Sequence, residues 1–275
     1  MYRATRLLEE MLPKIDIFLE VRDARVPLSS FNKNVDDIIK AKKRDKIVIF
    51  NKYDLCDKKK TDKVIDDLHS IGIHTMAISS KERRYDFDSV LKNIKTVKQE
   101  KYSSVGLWMM IGGVPNVGKS NIINNLRVLS KSFKNNQVSK SHGKACLTTY
   151  TNGFKVSNDP LAYLVDTPGI LLPNIESPLA GLGLGLVGSV KDKIVGKDVL
   201  CEYLYYSLGD KGLDIMFKKY NMSSRPKSHG EMIDRVVECY KLSSTELAKD
   251  RLLKDFRAGM FGGITLDDVY HKINE

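Results

Sequence analysis

The sequence predicts an α/β protein: a mostly parallel sheet covered by helices, followed by a smaller helical part. Three observations carry this prediction. Short apolar-rich runs at 15–21, 46–50, 74–78, 107–111 and 161–165 alternate with stretches of helical spacing, the pattern of strands buried on both faces. The glycine-rich octapeptide Gly113-Val114-Pro115-Asn116-Val117-Gly118-Lys119-Ser120 stands between one such run and a helical pattern at Ile122, Ile123 and Leu126. Beyond residue 196 only helical periodicity is found, so the expected division is 1–196 for the sheet domain and 197–275 for a helical domain.

Taken in order, Ala4, Leu7, Leu8, Met11 and Leu12 repeat at helical spacing and predict an opening amphipathic helix. A strand over 15–21 leaves it, and Arg22-Asp23-Ala24-Arg25-Val26-Pro27 is expected as a loop. Val35, Ile38 and Ile39 mark the next helix. The strand at 46–50 ends in Asn51-Lys52-Tyr53-Asp54, and Val64, Ile65 and Leu68 mark a helix after it. The strand at 74–78 ends in Ser79-Ser80-Lys81; a helix through Val90, Leu91 and Ile94 and a polar linker over 98–104 lead to the strand ahead of the octapeptide. Residues 131–145 are polar and basic. The strand at 161–165 runs into Asp166-Thr167-Pro168-Gly169.

Ser177-Pro178 reads as a cap with proline in the first turn of a helix carrying Leu179, Leu182, Leu186, Val190 and Ile194. Gly181, Gly183, Gly185 and Gly188 interrupt that stretch. Each interior glycine costs about 1 kcal/mol against alanine, so close packing or a hinge is the expected reason for them. Helices are expected over 199–208 and 213–220, and on the face of Met232, Ile233, Val236, Val237 and Tyr240. Ser243-x-x-Glu246 resembles a capping box, and Thr265 is a candidate cap for a last helix through Ile273.

The octapeptide has the form G-x-x-x-x-G-K-S, and its setting of strand, turn and helix is what makes it a phosphate cradle. Gly113 and Gly118 allow the backbone angles that aim N–H groups at a phosphate, and the dipole of the following helix adds positive potential there. Lys119 is expected to reach the β- and γ-phosphates and the Ser120 hydroxyl to bind Mg²⁺, with Asn116, Val117 and Asn121 completing the set. N-K-x-D at a strand end suits guanine. The Asp54 carboxylate can accept from the ring N–H and the exocyclic amine, donors that adenine does not offer. Asn51 would meet the other edge of the base and the Lys52 stem its face, with Ser79 and Ser80 in the loop expected to line the base pocket. Asp166 is expected near the Mg²⁺, and the Gly169 N–H near the γ-phosphate. Together these motifs point to GTP.

Their order is unusual, because the base-reading segments precede the phosphate loop. With Asp23-Ala24-Arg25-Val26-Pro27 and Asp166-Thr167-Pro168-Gly169-Ile170-Leu171, the chain resembles over nearly its whole length the circularly permuted GTPases of the YlqF/RbgA type, and most of all their mitochondrial ribosome-associated branch. The resemblance implies a six-stranded, circularly permuted GTPase domain and slow GTP hydrolysis stimulated by the ribosome. It also implies a role in assembly of the large ribosomal subunit, with contacts to ribosomal RNA and proteins. Against the family's switch-one pattern only Thr148 of Ala145-Cys146-Leu147-Thr148 is kept. Thr148 is the candidate for sensing Mg²⁺ and γ-phosphate, with Thr149 as the neighbouring alternative. Ile170 stands where other GTPases carry a water-positioning glutamine, and the family histidine implicated in catalysis would precede Met1, so the catalytic group is left open; a truncated gene model or processing is the expectation there. Asn116 also suggests K⁺ beside Mg²⁺ as a second ion, while an asparagine that only shapes the loop explains it equally well. His142 is a candidate base, though a loop histidine among lysines is more often solvated.

The chain has 275 residues and a formal charge of +11, so an anionic partner beyond the nucleotide is plausible. Lysines cluster at 40–46 and 58–60; solvated faces are the default for such runs, and an RNA-facing rim shared with 131–144 is the alternative. The four cysteines show no C-x-x-C spacing and read as reduced thiols. No stretch suits a membrane span, and peripheral membrane contact is left open. The expected setting is a monomer in the mitochondrial matrix or at the inner membrane, with a bacterial-type cytoplasm or another organelle as the alternative. A GTP-gated ribosome- or RNA-binding module with negligible turnover is the second functional reading, and a GTPase of tRNA modification or translation is disfavoured by the motif order.

Overall fold

A computed structural model describes residues 2–79, 90, 106–134, 153–158, 161–166, 175 and 177–267. The chain separates into two compact units. One comprises Met1–Asp23, Phe31–Lys52 and Ile65–Asn174, the other Ala24–Ser30, Tyr53–Val64 and Ile175–Glu275.

The first unit is built on a six-stranded sheet. Its strands are β1 (Ile17–Asp23), β2 (Asp45–Asn51), β3 (His74–Ile78), β4 (Leu107–Gly112), β5 (Gly153–Asn158) and β6 (Leu161–Asp166). They lie in the order β3-β2-β1-β4-β6-β5. Every neighbouring pair is parallel except β5 and β6, which pair antiparallel with an irregularity between Lys155 and Ser157. All seven residues of β1 are buried, the charged Glu20, Arg22 and Asp23 included, so the strand shows no alternation of a buried with an exposed side.

On one face, Leu8 and Met11 of α1 (Tyr2–Met11), with Leu12 and Ile15, pack with Phe18, Met110 and Val165 and with Val35 and Ile39 of α2 (Lys33–Ala41). Burying each such side chain contributes about 1.5–3 kcal/mol. α1 runs into a 3-10 turn, Leu12–Lys14, with Pro13 in its first positions, and Asn32 caps α2 by accepting from the Val35 N–H at 3.2 Å. The other large helix of this unit, α4 (Lys119–Lys134), opens inside the octapeptide, buries Ile122, Ile123 and Leu126, and packs against β5. The boundary between the units runs through α3 (Lys58–Ser70).

Two boundaries differ from those the periodicity predicts. β1 begins at Ile17 because Ile15 closes the 3-10 turn, its N–H reaching the Leu12 carbonyl at 3.3 Å. At its other end β1 continues through Arg22 and Asp23, which the sequence assigns to a loop. The two residues stay in register with Phe50 and Asn51 of β2, and the parallel ladder carries them past the last apolar residue. β5 has no counterpart among the predicted strands, since its apolar alternation, Phe154 and Val156, is too short to register.

The second unit is helical. α5 (Pro178–Leu186) is capped by Ser177, whose hydroxyl accepts from the Ala180 N–H at 3.2 Å. The helix predicted to run on to Ile194 instead stops at Leu186. Gly188 takes φ 84, and a separate turn, α6 (Asp192–Val195), follows. The glycines inside α5 serve close packing: a Cβ on Gly185 would stand 3.0 Å from both Leu200 and Val195. α7 (Lys197–Lys219) is broken at Gly209, at φ 56 and ψ −172, which separates the two helices predicted there. α8 (His229–Tyr240) and α9 (Thr245–Arg257) complete the unit, with α9 packed on α7 and α8. The cap of α9 is Ser244, one residue later than predicted, so no capping box forms; Glu246 pairs instead with Lys249 at 2.7 Å. Thr265 caps no helix among the described residues: its hydroxyl accepts from the Asp57 N–H at 3.1 Å and lies 3.0 Å from the Thr61 hydroxyl. Among the described residues no helix is long and apolar enough to cross a membrane.

Candidate nucleotide site

Because β1, β2, β3, β4 and β6 are parallel, their carboxyl ends share one edge of the sheet. The chain builds outward from β1 to β2 and β3, then crosses to β4 on the other side of β1. The strand order therefore reverses between β1 and β4, where open α/β sheets hold their ligands. The octapeptide leaves β4 at this point.

Local conformation explains the composition of the octapeptide. Gly113 has φ 149, and a Cβ there would drive into the Val21 carbonyl of β1; Gly118 has φ 100. Asn116 is left-handed at φ 60, a region asparagine tolerates better than most residues. Val114 and Val117 are buried and anchor the loop, while Asn116, Ser120 and Asn121 are exposed. α4 starts at Lys119, earlier than Ile122 where periodicity becomes visible, so Lys119 and Ser120 occupy its first turn and the Gly118 carbonyl accepts from the Ile122 N–H at 3.2 Å. First-turn N–H groups have no partner within a helix and suit an anion. The Lys119 ammonium bends back over the loop and donates to the carbonyls of Gly113 at 2.8 Å and Val114 at 2.7 Å. A cation is thereby held against the backbone of the loop.

Two side chains tie the base-reading segment to this loop. Asn51, the last residue of β2 and fully buried, donates from Nδ2 to the Val117 carbonyl at 2.7 Å. Lys52, left-handed at φ 61, donates from Nζ to the Asn116 carbonyl at 2.7 Å and to Asp23 Oδ2 at 2.8 Å. Sequence reasoning missed Asp23 as part of the site. The available signal was an acidic residue two positions past Val21, close to the end of a strand, which costs too much to bury unless a cation meets it. Ser79 is buried just past β3, next to Asn51 through the pairing of Asn51 with Ile78. Asp166 ends β6, where its backbone pairs with Ile111 one residue ahead of Gly112. Asp54 lies exposed in the 3-10 turn Tyr53–Leu55, which belongs to the second unit. Ser80, Thr148 and Gly169 fall outside the described residues.

A phosphate loop at the switch point of a parallel sheet, joined to an N-K-x-D segment earlier in the chain, defines a P-loop GTPase fold in permuted order. The RsgA GTPase family model matches residues 37–176. Mitochondrial GTPase 1 of Aedes aegypti is 31% identical over 98% of this chain and 92% of its own length. Ribosome biogenesis GTPase A of Priestia megaterium is 30% identical over 98% of this chain and 94% of its own. The fold matches a crystal structure of GNP-bound YlqF from T. maritima at TM-score 0.62 and 23% identity, over 98% of this chain and 99% of that one. The chain belongs to the circularly permuted GTPases of the YlqF/RbgA type, within the RsgA GTPase family.

Proposed function

We propose that this protein binds and hydrolyses GTP and acts in maturation of the large ribosomal subunit in mitochondria. The observation that carries the nucleotide part is the pair of contacts from Asn51 and Lys52 to the Val117 and Asn116 carbonyls, which join a guanine-type reading segment to a phosphate cradle. Asp54 supplies the carboxylate that selects guanine, and Ser79 and Ser80 line the base pocket. Gly118, Lys119, Ser120 and Asn121 bind phosphates, and Gly169 reports on the third one. The exposed Ser120 hydroxyl in the first turn of α4 fits a hard, oxygen-seeking cation. Mg²⁺ would be held by Ser120, Thr148 and Asp166, and would neutralise charge between the β- and γ-phosphates. K⁺ beside Asn116 is a second ion to test. Ribosomal and mitochondrial roles rest on relatives named as a ribosome biogenesis GTPase and a mitochondrial GTPase. The large subunit as partner, the matrix as site of action and the monomeric state are parts of the proposal. So is the division of labour between 1–196 and 197–275.

The test is single-turnover hydrolysis of GTP, with and without purified large subunits and with small subunits as control. Slow hydrolysis alone, accelerated by large subunits only, is expected. Binding without turnover in every arm would replace this reading by a GTP-gated binding module.

A further inference from the structure

We propose that Asp23 is a positioning residue for the nucleotide: its carboxylate holds the Lys52 ammonium so that the base-reading segment and the phosphate loop act as one piece. The inference rests on the reading of residues 51–54 as a guanine reader. Asp23 is completely buried, and its Oδ2 lies 2.8 Å from Lys52 Nζ. The same nitrogen lies 2.7 Å from the Asn116 carbonyl. One ammonium thus spans the end of β1, the residue after β2 and the phosphate loop.

The arrangement is directional. Asp23 sits on a strand and in register with Asn51, so the sheet fixes its carboxylate more rigidly than a loop would. Lys52 and Asn116, the two residues the ammonium connects, both hold left-handed backbone, at φ 61 and φ 60. Such conformations persist outside glycine where surrounding contacts over-determine them. A buried carboxylate also needs a compensating cation, and Lys52, itself about a fifth exposed, supplies it while keeping one face toward solvent. Neutralising the carboxylate frees the ammonium to turn outward, which releases the Asn116 carbonyl and the lysine stem together. The tie joins the end of β1, Lys52 and the phosphate loop and does not include Gly169, the proposed reporter on the third phosphate, so GDP and GTP are expected to lose affinity alike.

A double-mutant cycle on the full chain tests this, with Asp23→Asn, Lys52→Met and the double variant. Affinities are measured for GDP, a non-hydrolysable GTP analogue and ATP, with circular dichroism to confirm folding. Asp23→Asn is expected to weaken GDP and the GTP analogue by the same factor, about tenfold, the scale of one charge-assisted hydrogen bond. In the Lys52→Met background it should weaken them no further, because its effect passes through the lysine. Additive losses, wild-type affinity in Asp23→Asn, or a changed ratio of GTP to GDP would each overturn the proposal. Asp23→Ser replaces Asp23→Asn if the latter does not fold, and failure of both to fold makes the carboxylate a folding element and ends the proposal. Equal affinity of the wild type for GTP and ATP would instead defeat the guanine reading. A guanine preference combined with an additive cycle defeats this inference alone.

Discussion

A methyl group on Gly113 would meet the backbone carbonyl of Val21, and the residue already stands at φ 149, where an L side chain is strained. The Val21 carbonyl cannot yield, since Val21 belongs to the central strand β1. Gly113→Ala is therefore expected to lose nucleotide binding and at least about 1–3 kcal/mol of stability, read by nucleotide titration and thermal unfolding. Lys119 contributes differently. Its ammonium rests on the Gly113 and Val114 carbonyls at the mouth of the loop, so Lys119→Ala should abolish nucleotide binding or turnover while the protein keeps its fold. Asp54 is exposed and forms no part of the core, which makes it a clean probe of base choice. Asp54→Asn should lower GTP affinity by about tenfold or more, the loss of charged hydrogen bonds. The same change should raise affinity for xanthosine triphosphate, whose base offers an acceptor where guanine has an amine. Unchanged GTP binding would remove the guanine assignment.

Between elements, polar contacts decide what apolar patterning leaves open. Arg22 pairs with Glu20 through both ends of the carboxylate, at 2.9 and 3.0 Å, and Lys46 of β2 joins Glu20 to Asp36 of α2. Lys40 adds a contact to Asp36 at 2.8 Å. Desolvation alone would raise the Asp36 pKa, but hydrogen bonds and charges from Lys40 and Lys46 outweigh it and hold the carboxyl below its ordinary value of 3.8. A carboxylate with a lowered folded pKa contributes stability above its unfolded pKa and loses it as pH falls through the folded one. Stability should accordingly drop below about pH 4 through this group, and Asp36→Asn should flatten that part of a pH series of thermal unfolding. The network also revises the lysine cluster at 40–46: Lys40, though exposed, and Lys46 are engaged by acids, and Arg44 donates to the Pro13 carbonyl at 2.9 Å, so Lys42 and Lys43 are the exposed cations outside this network. In the second unit, Arg257 at the end of α9 donates to the Gly185 and Leu186 carbonyls at the end of α5, and to both oxygens of Asp192. Arg257→Ala strips three segments of one shared donor and should cost about 2 kcal/mol, visible as a lower midpoint in chemical denaturation.

For the molecule as a whole, the charge of +11 governs encounter more than shape. If that excess meets ribosomal RNA, co-sedimentation with large subunits should weaken steeply as salt rises, because each neutralised phosphate releases counterions. It should also differ between GDP and a non-hydrolysable GTP analogue, since a third phosphate orders the segments beside it. Binding indifferent to both variables would leave the helical unit, rather than the basic segments, as the anchor.

The sequence by itself determined five of the six strands, the phosphate loop and the N-K-x-D segment that follows β2. Each is a local signal: an apolar-rich run, or a few residues whose backbone freedom and side-chain chemistry are needed within a span of eight positions or fewer. It determined the permuted order as well, because order is written in the chain. Only the tertiary structure decided how far those elements extend and what holds them together. β1 reaches Asp23 because β2 pairs with it; β5 is a strand because β6 is beside it; the helix after Ser177 ends at Leu186, where Arg257 from α9 donates to its last carbonyls. The tie from Asp23 through Lys52 to Asn116 joins residues 29 and 64 positions apart. No periodicity encodes such a contact, since a buried charge is stable only beside a partner that folding brings to it.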